Sequence, residues 1–403
     1  MSKVEDRLIP FSPQYLRVGE ALPFGVRDAT GNLLLSAGQV IDSQEQLAHL
    51  SSQVLTALEE ESAGWRRRLT AVVDNMLRQN ASLKEIAGAR PSQESPASRP
   101  TGPSRTLEEQ WEDLIAQLDA LLRDPREDPM WLARVEEVLH RGERIVGSKP
   151  DASLYYLIWR AGHSSLRYCA QHGLLTCVVV SQVGSLLGLD VSERRRLGMA
   201  ALVMNVSMIR LQDQLAATDL PLTTPMRLQI EQHAERGAAL LQAAGADAAL
   251  CRIVALHHEV SQRPGEDSKI ELSAQLLRRV DIFAAKMSRR KTRRSMSPVQ
   301  AARAACLGSN GQPDAIGAGL LKGLGLYPPG SFVALASGEK GIVVGRGKGP
   351  SQPEVASLVG SSGMAVTDPV LRDCSDPRWQ VKAALTADDV RVIPIHAKVL
   401  ALI

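Results

Sequence analysis

Aromatic residues make up only 3% of this 403-residue chain, and their scarcity argues against a surface that stacks nucleic-acid bases. Charge of one sign is also lacking, because 47 Lys and Arg residues face 44 Asp and Glu residues, a formal net charge of +3. Proteins dedicated to nucleic acid or to membrane surfaces usually carry a large basic excess. We therefore expect no nucleic-acid partner.

Cysteine is rare as well, and the five cysteines form no CxxC pair and no spacing typical of a disulfide framework. The opening MSKVEDRLIPF lacks the charged-then-apolar pattern of a signal peptide. The strongly apolar runs stop short of the roughly 18 residues that a membrane span needs. These absences predict a cytoplasmic protein with free thiols and no membrane span.

Hydrophobic residues make up 44% of the chain, which is enough for a sizeable core, and the length suggests two or three domains. Turn residues and apolar spacing divide the chain into six segments. They are a small β-rich domain over 1–60, a helical segment over 61–88, a disordered Pro/Ser-rich linker over 89–106, a helical hairpin over 107–150, a helical domain with a small β extension over 151–375, and a C-terminal tail over 376–403.

Local signals place several elements within these segments. The run from Asp28 to Asn32 is turn chemistry between two strands. Leucines at 47, 50, 55 and 58 follow a helical spacing, and helices are expected over 107–123 and 129–147. The residues SFVALASGEKGIVV (331–344) read as two strands around a turn.

Two helix starts carry recognisable caps. Asp190 and Glu193 have the spacing of a capping box, in which each side chain binds the other residue's backbone N–H. Thr224 followed by Pro225 has the pattern of an N-cap with proline in the first helical position. Both signals support a run of helices between about 150 and 310.

Four of the eight histidines lie in the helical block at places that suggest a site, at positions 172, 233, 257 and 258. A helix over 247–259 would place His257 on the same face as its apolar residues. Asp281 likewise shares a face with apolar residues of the next helix. Imidazoles and a carboxylate from separate helices are the parts from which helical bundles build metal sites. Histidines that merely pack and bond to carbonyls in a helical core remain the alternative.

From about 160 to 360 the sequence resembles the HD-GYP family, bacterial helical phosphohydrolases that hydrolyse cyclic di-GMP at a two- or three-metal site. The first family histidine resembles His172 in HGLLTCVVVSQVGSLLGL, and a later one resembles His233 in LTTPMRLQIEQHAERG. The family's HHE stands intact as His257-His258-Glu259. The family aspartate resembles Asp281 in DIFAAKMSRRKTRRSMSP. The β extension of many members resembles YPPGSFVALASGEKGIVVGRG.

The chain departs from this pattern at the residues that give the family its name. Met204 and Asn205 stand where the family has its His-Asp pair, and Met208 stands where it has a lysine. Only Gly265 survives of the Gly-Tyr-Pro motif, and Thr292 replaces a tyrosine. The lost aspartate bridges the metals in the family, and neither Asn nor a Met thioether replaces it well for iron or manganese.

The resemblance therefore implies a reduced metal site. His172 and Asp281 are the ligands left at one metal position. At the other position three histidines could hold a single divalent ion, iron or manganese. These three are His233, His257 and His258. The alternative is that the site binds no metal. The resemblance also gives Arg290 and Arg293 as residues that contact nucleotide phosphate. The basic loop RRKTRR that carries them could equally be solvated.

The expected fold is mainly α: an HD-GYP-like all-helical domain with a small C-terminal β extension, preceded by a small β-rich domain. The resemblance favours a degenerate cyclic di-GMP phosphodiesterase homologue that acts in bacterial signalling as a receptor or protein-interaction adaptor. An active metal-dependent phosphodiesterase that uses the remaining histidines is the alternative, and a dimerisation scaffold is a third. The implied partners are cyclic di-GMP or a related nucleotide, other signalling proteins and a second copy of the chain.

Overall fold

The computed structural model describes residues 8–19, 22, 24–36, 39–58, 62, 105–219, 221–259, 268–291, 296–308 and 311–403. They belong to two compact units, Met1–Ser104 and Arg105–Ile403. The predicted helical segment 61–88, apart from Ser62, and the predicted linker up to residue 104 lie outside the described residues. The protein is mainly α with small sheets towards both ends, as the sequence predicts.

The N-terminal unit contains a four-stranded sheet with the order β1-β4-β2-β3 and one helix. Its elements are β1 Leu8–Phe11, β2 Val26–Arg27, β3 Leu33–Leu35, α1 Gln44–Ser51 and β4 Leu55–Leu58. The turn between β2 and β3 forms as expected, because Oδ1 of Asp28 accepts the backbone N–H groups of Thr30 and Asn32. Apolar residues from strands, loop and helix make a core of its own.

The spacing of four leucines predicts a helix, and for two of the four this prediction is wrong. Leu47 and Leu50 lie in α1, but Leu55 and Leu58 lie in β4, which pairs antiparallel with β1. The helix ends at Ser51, where the backbone turns, and the chain then runs alongside β1 with Leu8 opposite Leu58. Two leucines three residues apart do not distinguish a helix from a strand, because the strand with which they would pair is distant in sequence.

The second unit is built on helices. In chain order they are α2 Leu107–Arg123, α3 Pro129–Ser148, α4 Pro150–His163, α5 Tyr168–Leu186, α6 Val191–Val203, α7 Ile209–Ala217, α8 Thr224–Ala243, α9 Ala248–Leu256, α10 Ser268–Met287, α11 Pro298–Ala305, α12 Ala315–Leu324, α13 Ala387–Val390 and α14 His396–Leu400. A continuous apolar core joins helices from α2 to α14 with strands of the following sheet. The helices α2 and α3 match the expected bounds to within one residue.

The predicted cap at Asp190 forms, and Asp190 and Glu193 each bind the other's backbone N–H. The cap of α8 is shifted by one residue from its prediction. Thr223 is the N-cap, so Thr224 and Pro225 occupy the first two helical positions. Proline is tolerated in both positions because neither N–H has a partner within the helix.

The helix α5 is central to the unit. Contrary to the sequence expectation, Tyr168–Leu186 is long and apolar enough to cross a membrane by length and composition. However, 78% of its most apolar window is buried inside the fold, which is the property of a core helix. Its apolar residues lie all round the helix because other helices surround it.

The C-terminal sheet is antiparallel with the strand order β8-β7-β6-β5-β9. Its strands are β5 Phe332–Leu335, β6 Lys340–Gly349, β7 Gln352–Val359, β8 Leu371–Asp373 and β9 Val381–Leu385. The interpretation of 376–403 as a separate tail is wrong, because β9 pairs with β5 along its length. Beyond it, His396 is buried and its Nδ1 lies 2.9 Å from the Tyr155 hydroxyl on α4.

Candidate metal centre

Three histidines from two parts of the helical unit converge. Nε2 of His233 lies 3.3 Å from Nε2 of His257 and 3.2 Å from Nε2 of His258. Their ligand atoms all lie within 4.8 Å of one another. His233 and His257 are buried, whereas His258 is exposed. The group therefore faces solvent on one side, as a site that exchanges a ligand must.

Local backbone geometry orients two of these rings. Nδ1 of His233 lies 2.5 Å from the carbonyl oxygen of Ile230, and Nδ1 of His257 lies 2.6 Å from that of Val254. A carbonyl only accepts, so each Nδ1 carries the proton and each Nε2 presents a lone pair. This is the outer-shell arrangement by which proteins fix metal-binding histidines.

The protonation states also suit a metal. Desolvation lowers the pKa of His233, and it also lowers the pKa of His258, whose ring is partly covered by its neighbours although the residue is exposed. Burial lowers the pKa of His257 to about 3. The neighbouring histidines act in the same direction on His257 and His258, while the Asp281 carboxylate opposes it. All three imidazoles are therefore neutral at pH 7, and neutral imidazole is the form that binds a cation. The residues present thus fit one divalent ion with nitrogen ligands.

His172 and Asp281 form a separate pair beside this group. Nε2 of His172, on α5, lies 2.7 Å from Oδ1 of Asp281, on α10. Burial by itself raises the pKa of Asp281, but the hydrogen bond and charge of His172, with smaller effects of His257 and His258, lower it to about 2. The Asp281 carboxylate is therefore ionised at pH 7 and acts electrostatically on the histidine cluster.

Sequence reasoning missed Tyr168, which joins His172 to Arg290. The Tyr168 ring stacks on the His172 ring at 5.7 Å and 10°. Its hydroxyl accepts hydrogen bonds from Nε and Nη2 of Arg290 at 3.1 and 2.6 Å. The one available signal was its place four residues before His172, on the same helical face.

The residues at the family's His-Asp positions lie next to the helix that carries His233. Met204 and Asn205 are buried at the end of α6, and Met208 closes the short helical turn that follows. Ser207, between them, donates a 2.7 Å hydrogen bond to the His233 carbonyl. Within the described part of the chain, the Asn205 side chain makes no hydrogen bond to the histidines or to Asp281.

Three residues that the sequence reasoning used lie outside the described residues. They are Gly265, Thr292 and Arg293. The proposed role of Arg293 therefore stays a prediction. Arg290 is described, and its guanidinium lies over the Tyr168 ring at 4.9 Å as well as bonding to the hydroxyl.

Part of the helical unit matches a known family. The family described as "HD domain" matches residues 163–310, which span His172, the three clustered histidines and Asp281. No curated protein matches the chain. Among solved structures, the chain is similar to Bd1817, a HDG"Y"P protein from Bdellovibrio bacteriovorus, with 12% identity and a TM-score of 0.46 over 78% of this chain and 99% of that one.

The segment that matches the HD domain family contains the intact His257-His258-Glu259 motif. Residues 163–310 of the chain are therefore similar to an HD domain. Domains of this type typically bind divalent metals, and the histidine cluster could hold one.

Proposed function

We propose that the protein is a degenerate homologue of HD-GYP cyclic di-GMP phosphodiesterases and acts in bacterial signalling, as a receptor or a protein-interaction adaptor. The observation that carries the proposal is the ligand set. Three histidine Nε2 atoms converge, while the neighbouring positions hold Met204 and Asn205, which provide no anion. An anionic oxygen shared between two cations offsets their repulsion, and Asn cannot supply that charge.

One divalent ion, iron or manganese, would be held by His233, His257 and His258, and it would supply a Lewis acid near any bound phosphate. The chain's own contribution is to hold the three rings neutral and oriented through the Ile230 and Val254 carbonyls. Arg290, fixed by Tyr168, would add a positive charge on the His172 side of the site. With one ion and no bridging carboxylate, we expect binding of nucleotide without hydrolysis.

The alternative function is hydrolysis by the three-histidine site. It is favoured by one observation, the solvent exposure of His258, which leaves room for a further ligand on an ion held there. A dimerisation scaffold that binds no nucleotide is the third hypothesis. Cytoplasmic location, other signalling proteins as partners and a second copy of the chain belong to the same proposal.

The test combines three measurements on the full-length chain purified without chelator: metal content, cyclic di-GMP hydrolysis and cyclic di-GMP binding. We expect at most one metal per chain, no turnover, and nucleotide binding that weakens in Arg290→Gln. His233→Ala should abolish metal uptake, whereas His49→Gln, an exposed histidine of the N-terminal unit, should leave it unchanged. Turnover that requires metal would establish the alternative. If the protein binds no nucleotide, the dimerisation scaffold is the hypothesis that remains.

A further inference from the structure

A large cleft in the second unit is lined by Arg290 but by none of the three clustered histidines. Its volume is about 790 Å³, within the range of pockets that hold small molecules. The cleft is lined by residues 289–291 of the loop after α10 and by residues of the segment 386–393 that includes α13. The connection between α4 and α5, around His163, also lines it. We call this feature the basic cleft.

The charge of its lining is strongly one-sided. Arg289, Arg290, Lys291 and Arg391 face it, and Asp388 is the one acidic residue among the described lining residues. Nζ of Lys291 is 3.9 Å from Asp219, but both side chains are well exposed, so this contact neutralises little of the positive potential. A concave surface with several cations concentrates anions.

Backbone contacts fix the loop 289–291 at the cleft. The backbone N–H of Arg289 donates to the Ala161 carbonyl at 2.7 Å, and that of Lys291 donates to the Ala216 carbonyl at 3.0 Å. These bonds tie the loop to α4 and α7. The loop cations are therefore held at the cleft by the fold, although their side chains stay exposed.

Arg391, which also lines the cleft, has an unfavourable backbone. Its φ is +54°, one of two positive φ values among the described non-glycine residues. Glycine adopts this left-handed conformation freely, whereas it is unfavourable for other residues. In the turn after α13 the backbone N–H of Arg391 donates to the Ala387 carbonyl, and its Nε donates to the Asp388 carbonyl at 3.3 Å. These bonds hold the arginine beside the cleft. A strained residue at a cleft is an observation from which function can be inferred.

We propose that the basic cleft binds a small phosphorylated molecule through Arg289, Lys291 and Arg391. Guanidinium groups match the oxygens of phosphate in pairs, and the ammonium of lysine adds a point charge. Cations from both segments line the same cleft, so an anion bound there is attracted by both. The site lies outside the histidine cluster and goes beyond the proposed function, since it needs neither metal nor the three histidines.

The probes are inorganic pyrophosphate and 5′-GMP, titrated calorimetrically into the full-length protein in the presence of chelator. We expect both to bind at low ionic strength, with affinity that falls as salt rises. Tighter binding of 5′-GMP would identify a nucleotide as the ligand, and equal binding would identify the phosphate group alone. Both results support the cleft, and failure of both probes to bind overturns it.

Three variants locate the binding. Arg391→Gly and Lys291→Gln should each weaken pyrophosphate binding about tenfold or more, since a lost charge-assisted hydrogen bond is worth on the order of 1.4 kcal/mol or more. Arg391→Gly should also keep or raise the melting temperature, because glycine relieves the positive φ, so a folding defect cannot imitate the loss. Arg378→Gln removes an exposed arginine outside the cleft and should change nothing.

His233→Ala separates this site from the histidine cluster. It should leave pyrophosphate affinity unchanged while removing metal uptake, which distinguishes failure of the cleft from failure of the proposed function. If pyrophosphate binding instead disappears with chelator or in His233→Ala, the anion binds at the metal centre and the basic cleft is not its site.

Discussion

Nε2 of His172 and Oδ1 of Asp281 lie 2.7 Å apart, across the contact between α5 and α10. The pair is buried on the histidine side, and the ionised carboxylate gains a hydrogen bond with the imidazole. Two residues that the family resemblance gives to a metal thus have a stable arrangement with each other. The remaining three histidines form a site of their own, and the predictions below follow from this division and from the packing around it.

Restoring the family pair should enlarge the metal site. The double variant Met204→His with Asn205→Asp supplies an imidazole and a bridging carboxylate beside the helix that carries His233. We expect the metal content per chain to rise from at most one to two, measured by elemental analysis. Met204→Leu, which keeps the volume but adds no ligand, is the matched control. An unchanged metal content in the double variant would contradict the structural equivalence of these positions.

Tyr168 should couple His172 and Arg290 energetically. Tyr168→Phe keeps the ring stacked on His172 and removes the oxygen that accepts two bonds from Arg290. The free energy of unfolding should fall by about 1–2 kcal/mol. In an Arg290→Gln background the same change should cost markedly less, because the partner is already gone. Additive losses in this double-mutant cycle would mean that the contact contributes nothing.

His396 should make stability depend on pH. Burial among the rings of Tyr155, Tyr156 and Trp159, with a smaller effect of His163, lowers its pKa to about 4. In the unfolded chain the His396 imidazole titrates near pH 6.5. Between about pH 6.5 and pH 4 this imidazole is therefore protonated in the unfolded chain but neutral in the folded protein. Stability is therefore full above about pH 6.5 and falls as the pH drops towards 4.

The measurement is urea unfolding across this pH range. The wild-type protein should lose up to about 3 kcal/mol from this group, and His396→Phe should remove that part of the slope. His49→Gln, an exposed histidine, should retain the wild-type slope. Identical slopes for wild type and His396→Phe would show that the ring is not held neutral by its surroundings.

Two glycine-to-alanine substitutions should change the stability of the protein in opposite directions. A Cβ at Gly317 on α12 would meet the carbonyl oxygen of Cys306 at 1.9 Å, so the backbone has to move. Gly317→Ala should destabilise by about 2 kcal/mol or more. Gly147 on α3 has no heavy atom within 4 Å of the added carbon, and Gly147→Ala should stabilise by about 0.5–1 kcal/mol. Thermal unfolding distinguishes them, and a neutral Gly317→Ala would contradict the close α12 packing.

Local patterns sufficed wherever neighbours in the chain decide the structure. The helix α2 forms over the predicted residues 107–123, and the predicted capping box at Asp190 forms. The HD-type match over 163–310 agrees with motifs read from the sequence. In contrast, β4 and β9 depend on strands far away in sequence, and their apolar patterns alone favoured a helix and a tail.

The candidate site shows the same division. Each histidine could be proposed from its motif, but the direct pairing of His172 with Asp281 joins residues 109 positions apart. The role of Tyr168 depends on which helices are in contact, and that of Arg391 depends on its backbone φ angle. Neither feature produces a periodic pattern in the sequence. These features belong to the tertiary fold and could not be predicted from spacing.

The docking of the C-terminal residues onto α4 affects the order in which the chain can fold during synthesis. Tyr155, Tyr156 and Trp159 emerge from the ribosome more than 200 residues before His396, the ring that packs against them. Translation adds roughly 5–20 residues per second. This aromatic surface is therefore without His396 for on the order of ten seconds or more during synthesis. A chain interrupted shortly before residue 396 would keep that surface exposed, and we expect chaperones and proteases to recognise it there.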